Sequence, residues 1–263
     1  MVSIPRGIKI VLLDLDGTIH LGGIPIPGAV HFIQRCHDNE IKTIFLSNNS
    51  SKSVNEYLTK LNSMGINAVA DDILLSTHDC IHWLKNKKWT KVYCLGTKSM
   101  KEMLEENGIK CLEKGVDCVV LGYDTELTYE KLTKATSLIH QNIPLVATHP
   151  DIVCPSPNGN LPDVGAILKM IELTTGVEPT IITGKPRAEM ILGRLKIEGV
   201  EPSEVAMIGD RLYTDMEMAR VSGVVSVLVL SGEATQEDVD NYPWTPDFVF
   251  NSVNDIDFIR RET

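Results

Sequence analysis

The chain has 263 residues and a formal net charge of −10 at pH 7. That acidic balance argues against a nucleic acid or a membrane surface as a partner, because both carry negative charge. With 43% hydrophobic and 23% charged residues, the composition is typical of a globular protein with a hydrophobic core. The length allows one large domain or two moderate ones. It shows no signal-peptide pattern or membrane-spanning apolar stretch, and its six cysteines are scattered without a Cys-x-x-Cys pair. We therefore expect a cytoplasmic protein with free thiols.

Short apolar runs alternate with helical patterns, which is typical of an α/β protein with a parallel sheet. The first part of the chain predicts strand Ile8–Leu13, a hairpin within Thr18–Pro27, helix Gly28–Asn39, strand Thr43–Leu46 and a helix opened by the capping box Ser53–Glu56. His78 and His82 have a spacing that can bind zinc, but no third ligand is near, so we expect ordinary helix residues. The basic run Lys85–Lys88 is predicted to be a linker.

The middle of the chain predicts a separate group of elements. They are strands Val92–Leu95, Cys118–Leu121 and Leu145–Ala147 and helices Met100–Asn107, Thr128–Gln141 and Asp163–Thr175. The first pattern then resumes with strand Thr180–Thr183, a helix from Pro186, strands Val205–Ile208, Val225–Leu230 and Phe248–Phe250, and a short final helix. We predict a Rossmann-like, doubly wound, mostly parallel sheet formed by residues 1–87 and 180–263, with a smaller α/β domain of residues 88–179 inserted.

Two aspartates follow the first predicted strand. Asp14-Leu15-Asp16-Gly17-Thr18 comes directly after the apolar run, at the strand end where open α/β sheets bind ligands. Two acids at such a place repel each other and are costly to bury, so a structural role does not explain them well. A chance turn is the simple alternative. A metal ion and a phosphoryl group would give both acids a function.

Three further polar segments follow predicted strands. Ser47 and Asn48 can form an anion cradle, although an ordinary helix cap also explains them. Lys185, within Gly-Lys-Pro, is either a positive charge for a phosphate or a surface lysine. Asp210 adds a third acid suited to Mg²⁺. Asp215, one helical turn later, can hold a metal-bound water or orient Lys185. It can also be an ordinary first-turn acid that the helix dipole favours. Together the four segments predict a phosphoryl-transfer site.

In this order, the four segments resemble the motifs of the haloacid dehalogenase-like phosphatase superfamily. The matching residues are Asp14–Thr18, Ser47–Asn48, Gly184–Pro186 and Gly209–Asp215. The last three are most similar to the NagD-like, nitrophenylphosphatase-like branch, which includes sugar, pyridoxal and glycolate phosphatases. The long insertion between the second and third motifs is similar to the larger type of cap domain found in the superfamily.

The resemblance implies a Mg²⁺-dependent phosphatase that hydrolyses small phosphate monoesters through an aspartyl-phosphate. Asp14 would be the nucleophile, and Asp16 would protonate the leaving alcohol and then activate water. Mg²⁺ would be held by the Asp14 side chain, the Asp16 backbone carbonyl and Asp210. The implied partner is a small phosphorylated metabolite, and the resemblance also allows a homodimer through the cap.

The other motif residues take supporting roles in the same family pattern. Ser47, the Asn48 backbone and Lys185 would bind the phosphate and stabilise charge on its equatorial oxygens, and Asp16 would also contact the substrate. Asp215 would be an acid that supports the residues that bind the metal. These roles are implied by the resemblance alone.

The cap is where the chain departs from the family pattern. Relatives often carry Thr-Asn-Pro-Asp in a cap loop, whereas this chain has Thr148-His149-Pro150-Asp151. His149 is therefore either a substrate contact or a hydrogen-bonded loop residue. Asp151 and Cys154 are candidates to line the entrance. The departure leaves the substrate open.

Other activities compete with the phosphatase. A dehalogenase would need Asp14 but has no evident use for Asp16 and Asp210. A phosphomutase or other phosphotransferase would share all four motifs, although a small helical cap is more usual for it. The third alternative is non-catalytic: a phospho-acceptor receiver domain or a relative that only binds ligand. Receiver domains also carry acids and a lysine at strand ends, but they are about half as long and have no cap.

Overall fold

A computed structural model describes residues 3–4, 7–156 and 159–258 of the chain. Within them the strands are β1 (Ser3–Ile4), β2 (Ile10–Asp14), β3 (His20–Leu21), β4 (Ile24–Pro25), β5 (Lys42–Ser47), β6 (Ile73–Leu75), β7 (Lys91–Leu95), β8 (Lys110–Cys111), β9 (Cys118–Leu121), β10 (Leu145–Ala147), β11 (Val153–Cys154), β12 (Leu161–Pro162), β13 (Ile181–Ile182), β14 (Val205–Gly209), β15 (Val225–Val229), β16 (Phe248–Phe250) and β17 (Asp257–Phe258). The α-helices are α1 (Ala29–Asp38), α2 (Val54–Ser63), α3 (Ser76–Lys87), α4 (Lys98–Glu106), α5 (Tyr129–His140), α6 (Val164–Thr175), α7 (Glu189–Glu198), α8 (Glu217–Ser222) and α9 (Gln236–Asn241). None of these helices has the length and apolar character needed to cross a membrane.

The chain folds as two compact units. The first unit comprises Met1–Ser47, Tyr57–Leu74 and Pro186–Thr263, and the second comprises Asn48–Glu56 and Leu75–Lys185. Helix α3 belongs to the second unit because its buried residues pack into a core of that unit's sheet. The predicted division at residues 87 and 179 differs from these bounds, and as a division into independent domains it stays a prediction.

The first unit is built on a six-stranded sheet with the order β16-β15-β14-β2-β5-β6. The four pairs from β16 to β5 are parallel, so the predicted Rossmann-like, mostly parallel sheet is confirmed. Every residue of β2 is buried, as expected for a strand covered on both faces. On one face, Ile10 and Leu12 pack with Ile191 of α7 and Met218 of α8 in one hydrophobic core.

The second unit is built on a parallel five-stranded sheet with the order β13-β10-β9-β7-β8. Alternate residues of β9 enter different cores because successive side chains point to opposite faces of a sheet. Val119 and Leu121 pack with residues of α5 and α6. Cys118 and Val120 pack with residues of α3 and α4. The three strands predicted for the middle of the chain are confirmed to within one residue.

Two predictions about connecting segments are wrong. The strand predicted at Thr180–Thr183 does not resume the first sheet, since Ile181 pairs with Val146 at the edge of the second. A short apolar run does not itself specify which sheet it joins. The basic run Lys85–Lys88 is not a linker but the last turn and C-cap of α3, where positive charge is favourable beside the helix dipole.

The carboxyl end of the chain also differs from prediction. The expected final helix is a single 3-10 turn, Val253–Asp255, followed by β17, which pairs in parallel with β1. Residues 259–263 lie outside the described part of the chain. Strand β6 was not predicted, because its three residues lack a pattern long enough to separate them from a loop.

His78 and His82 lie in helix α3 and are hydrogen-bonded to neighbours along the chain. His78 Nδ1 accepts the backbone N–H of Leu75 at 3.0 Å, and His82 Nε2 lies 2.9 Å from Asn86 Nδ2. The six cysteines are free thiols. The prediction of free thiols is therefore confirmed, and both histidines lie in helix α3 as predicted.

Candidate active site

Three neighbouring strands of the first unit end in polar residues at the same edge of the sheet. In the parallel register, Asp14 pairs with Leu46 of β5. Leu13 pairs with Ile208 of β14, and Gly209 is the residue that follows on that strand. Ser47 and Asp210 therefore follow one residue beyond the level of Asp14, on the two strands that flank β2. Sequence positions far apart in the chain are brought together because the strands are parallel and adjacent.

Three carboxylates meet at this edge and are named here the acidic cluster. Carboxylate oxygens of Asp14, Asp210 and Asp215 lie within 4.8 Å of one another. The three residues are buried, with Asp215 fully so. At an effective dielectric constant of about 20, two unit charges at this separation repel by roughly 3.5 kcal/mol. Three such pairs amount to roughly 10 kcal/mol, which is as large as the whole stability of many domains.

The acidic cluster fits Mg²⁺. Its ligand atoms are all carboxylate oxygens, the hard ligands that this ion prefers, and it contains neither sulfur nor imidazole. A divalent cation also supplies compact positive charge against the mutual repulsion of the acids. Asp14, Asp210 and Asp215 are thus side chains that could hold such an ion or support the residues that hold it.

The Asp210 carboxylate fits in its place because residues 17 and 232 are glycines, which have no side chain to collide with it. A Cβ atom added to Gly17 or to Gly232 would overlap the Asp210 carboxylate. Asp210 Oδ2 accepts the backbone N–H of Glu233 at 2.7 Å, and Ser231 Oγ donates to the Gly17 carbonyl at 2.7 Å. The loop after β15 therefore orients Asp210. Sequence reasoning missed Gly232, and its only signal was a glycine just beyond a predicted strand.

Replacement of Gly232 by alanine is expected to raise the Mg²⁺ concentration for half-maximal activity at least about tenfold, in the range seen when residues that support metal ligands are lost. The reason is that the new methyl group must displace the Asp210 carboxylate. Titration of phosphatase activity with Mg²⁺ measures this shift. Gly193→Ala, in α7, is the matched control because its added Cβ meets no atom within 4 Å. Unchanged Mg²⁺ dependence of G232A would contradict the assignment.

Asp16 lies beyond the strand and faces a buried imidazole. Its side chain is 43% exposed, whereas the side chain of His20 is fully buried, and His20 Nδ1 lies 3.1 Å from Asp16 Oδ1. Burial by itself would raise the pKa of Asp16. The contact with His20 and the positive charges of Lys60 and Arg211 together outweigh that effect and hold this pKa below its usual range. The importance of His20 was not foreseen from sequence.

Ser47 is held within the first unit by a tyrosine. Its Oγ lies 3.1 Å from Tyr57 Oη, and both residues are buried. Tyr57 belongs to α2, the helix that the capping box opens, in which the Ser53 N–H donates to Glu56 at 2.7 Å. The predicted box is therefore confirmed, and α2 positions the hydroxyl of Ser47 at the end of β5.

In the second unit, the side chain of Asn48 binds the backbone of Lys185. Asn48 Oδ1 accepts the Lys185 N–H at 2.8 Å, and its Nδ2 donates to the Lys185 carbonyl at 3.1 Å. Gly184 has φ +74°, and a Cβ there would press against the Thr148 carbonyl and Asn48 Oδ1. The second and third motifs are thus joined directly. Because the amide is used in this way, the backbone N–H of Asn48 is the group that stays a candidate for phosphate binding.

The loop that departs from the family pattern is buried and hydrogen-bonded. His149 is fully buried, with Nδ1 2.9 Å from Thr148 Oγ1 and Nε2 2.9 Å from Asp163 Oδ1. This confirms the hydrogen-bonded loop role over a substrate contact. Asp151 is also buried and accepts from Asn48 Nδ2 at 3.2 Å. Asp151 therefore lies next to Asn48 of the second motif.

Comparison with known proteins gives the same assignment along nearly the whole chain. A sequence model described as haloacid dehalogenase-like hydrolase matches residues 11–110, and one described as HAD-hydrolase-like matches residues 182–256. The acid sugar phosphatase of Staphylococcus epidermidis is 34% identical over 245 residues, which are 92% of this chain and 94% of the relative. The chain belongs to the haloacid dehalogenase-like hydrolases.

Solved structures place this hydrolase in the NagD-like, nitrophenylphosphatase-like branch. The 4-nitrophenylphosphatase of Thermotoga maritima superposes with a TM-score of 0.90 at 38% identity, covering 94% of this chain and 95% of that one. The glycerol phosphate phosphatase of Mycobacterium tuberculosis, solved in complex with magnesium, gives 0.89 at 26% identity, covering 96% and 77%. The predictions of the family, of a phosphatase that hydrolyses phosphate monoesters and of Mg²⁺ as its metal are confirmed.

Proposed function

We propose that this haloacid dehalogenase-like hydrolase is a phosphatase of small sugar phosphates, and that it works through a phosphorylated Asp14. The observation that carries the proposal is the acidic cluster at the ends of β2 and β14, since it combines a nucleophile with the ligands of a divalent cation. The substrate class is supported by the acid sugar phosphatases, which match this chain at 34% identity over almost their full length.

Asp14 is proposed to attack phosphorus in line with the ester bond. A bond forms between an Asp14 oxygen and phosphorus while the ester bond breaks, and the leaving oxygen takes a proton from Asp16. Water then attacks phosphorus of the phosphorylated Asp14 while Asp16 takes a proton from that water. The bond between phosphorus and the Asp14 oxygen breaks, so that inorganic phosphate leaves and the Asp14 carboxylate is restored. When bound, Mg²⁺ supplies positive charge that offsets repulsion between the carboxylates and the phosphate. Asp14, the Asp16 carbonyl and Asp210 would hold it.

The protonation of Asp16 has to change during this cycle. In the free protein its pKa is below the usual range, so it is ionised near neutral pH. A bound phosphate brings negative charge, which raises the pKa of a nearby carboxyl. Asp16 can therefore carry a proton when the ester is bound and lose it when the alcohol leaves.

The remaining motif residues are proposed to bind phosphate oxygens. Ser47 offers a hydroxyl, Asn48 its backbone N–H and Lys185 its ammonium group. Asp215 stays a supporting acid in this scheme, and its place in the acidic cluster is compatible with it. Each role follows the family pattern at the matching position of this chain.

The same proposal includes the organisation of the enzyme. The second unit would be the cap domain of the enzyme, two chains would associate through that unit, and the enzyme would act in the cytoplasm. Light scattering of the purified protein tests the dimer. A monomer at micromolar concentration would refute that part alone.

The substrate class is tested by a steady-state screen with Mg²⁺. The panel contains sugar phosphates, nucleoside monophosphates, pyridoxal phosphate, phosphoglycolate and nitrophenyl phosphate. We expect turnover of nitrophenyl phosphate, the highest kcat/KM for a sugar phosphate among the natural esters, and loss of all activity on chelation with recovery when Mg²⁺ is restored. A tenfold preference for a nucleotide or for pyridoxal phosphate would refute the substrate class. Activity that survives chelation would refute the metal.

A further inference from the structure

His20 is a buried imidazole that the proposed mechanism does not use. It lies four residues after Asp16, and the Leu15 carbonyl accepts the backbone N–H groups of both Ile19 and His20. The Gly17 N–H donates to the His20 carbonyl at 2.8 Å. This tight turn sets the imidazole against the Asp16 side chain by backbone hydrogen bonds alone.

The contact between the two side chains selects one form of the ring. His20 Nδ1 lies 3.1 Å from Asp16 Oδ1. Both ring nitrogens are buried, and neither makes a hydrogen bond of good angle with the described residues. With the proton on Nδ1, the ring presents a donor to a carboxylate oxygen at hydrogen-bonding distance, and the buried Nε2 is only an acceptor. With the proton on Nε2, a lone pair would face the carboxylate, and a buried N–H would lack an acceptor, which is costly.

We propose that His20 is a positioning residue for Asp16, whose Oδ1 it holds so that the second carboxylate oxygen exchanges the proton with the leaving group. This inference rests on the proposed role of Asp16. A side chain as exposed as that of Asp16 otherwise samples several rotamers, and proton transfer requires hydrogen-bonding distance to the reacting oxygen. His20 itself exchanges no proton with the substrate.

The contribution of His20 should depend on the leaving group of the ester. When the ester bond of a sugar phosphate breaks, its electron pair goes to an alkoxide oxygen that must be protonated at once, whereas nitrophenolate is stable without a proton. A correctly placed acid is therefore needed for the first ester and far less for the second. A defect in overall folding would lower both activities together.

The test compares His20→Leu and His20→Asn on glycerol phosphate and on nitrophenyl phosphate. Leucine removes the donor, whereas the asparagine amide nitrogen can occupy the position of Nδ1. For H20L we expect kcat/KM on glycerol phosphate to fall at least about tenfold, within the range attributed to general acid catalysis, and kcat/KM on nitrophenyl phosphate to change less than about threefold. The ratio kcat/KM is compared because it covers the steps up to loss of the alcohol and leaves out the later attack of water on phosphorylated Asp14, which both esters share. H20N should restore most of the lost activity on glycerol phosphate.

Asp16→Asn separates this inference from the proposed function. It should show the same selective loss, and more strongly. If D16N loses activity selectively on glycerol phosphate but H20L does not, His20 has no positioning role, while the proposed function of Asp16 stands. Equal loss on both esters in H20L and H20N would identify a merely structural histidine. If D16N shows no selective loss, or wild type hydrolyses neither ester, the proposed function and the inference both fail.

Discussion

Replacement of Asp14 by asparagine should lower kcat on the order of 10⁴-fold or more, the scale seen when a catalytic nucleophile is removed. An amide oxygen is a far weaker nucleophile than a carboxylate, and it cannot form the phosphorylated aspartate. Asp14 is nearly buried at the end of β2 and is a member of the acidic cluster. Its replacement thus removes one charge without changing the volume of the site.

Two measurements check this expectation. Steady-state turnover of nitrophenyl phosphate gives the loss, and acid quenching followed by mass spectrometry should show a phosphorylated wild-type protein and an unmodified variant. Asp38→Asn, at the exposed end of α1, is the control and should keep full activity. Without Mg²⁺, the melting temperature of D14N should not be lower than that of wild type, because the substitution removes repulsion within the acidic cluster. Residual activity above about one hundredth of wild type would contradict Asp14 as the nucleophile.

Replacement of Lys185 by methionine is expected to lower kcat/KM about 10²- to 10³-fold, the usual cost of removing one group that stabilises transition-state charge. Methionine has a similar length but no ammonium group to bind phosphate oxygens. The backbone of Lys185 is held by the side chain of Asn48 through two hydrogen bonds. The loop should therefore keep its conformation when only the Lys185 side chain changes.

Kinetics on nitrophenyl phosphate and inhibition by inorganic phosphate together test this role. K185M should bind inorganic phosphate at least about tenfold more weakly, because a charged hydrogen bond is lost. Its Mg²⁺ dependence should change much less. Lys110→Met, on the exposed β8, is the control for the loss of one positive charge. Wild-type phosphate inhibition in K185M would show that Lys185 does not bind the substrate.

Much of the fold was predictable because it depends on local patterns. The strands predicted at Cys118–Leu121 and Leu145–Ala147 coincide with β9 and β10, since each is an apolar run with both faces covered. By contrast, the strand at 180–183 was assigned to the wrong sheet, because two apolar residues pair equally well with any free edge.

By itself, the sequence determined the order of elements and the four polar segments that follow strands, because periodicity and spacing are local properties. The tertiary structure alone decided which side chains meet. The use of the Asn48 amide to hold Lys185 joins residues 137 positions apart, and the space that Gly232 leaves for Asp210 depends on two loops beyond neighbouring strands. Contacts of this kind arise from strand order and register, which set distances that no local pattern contains.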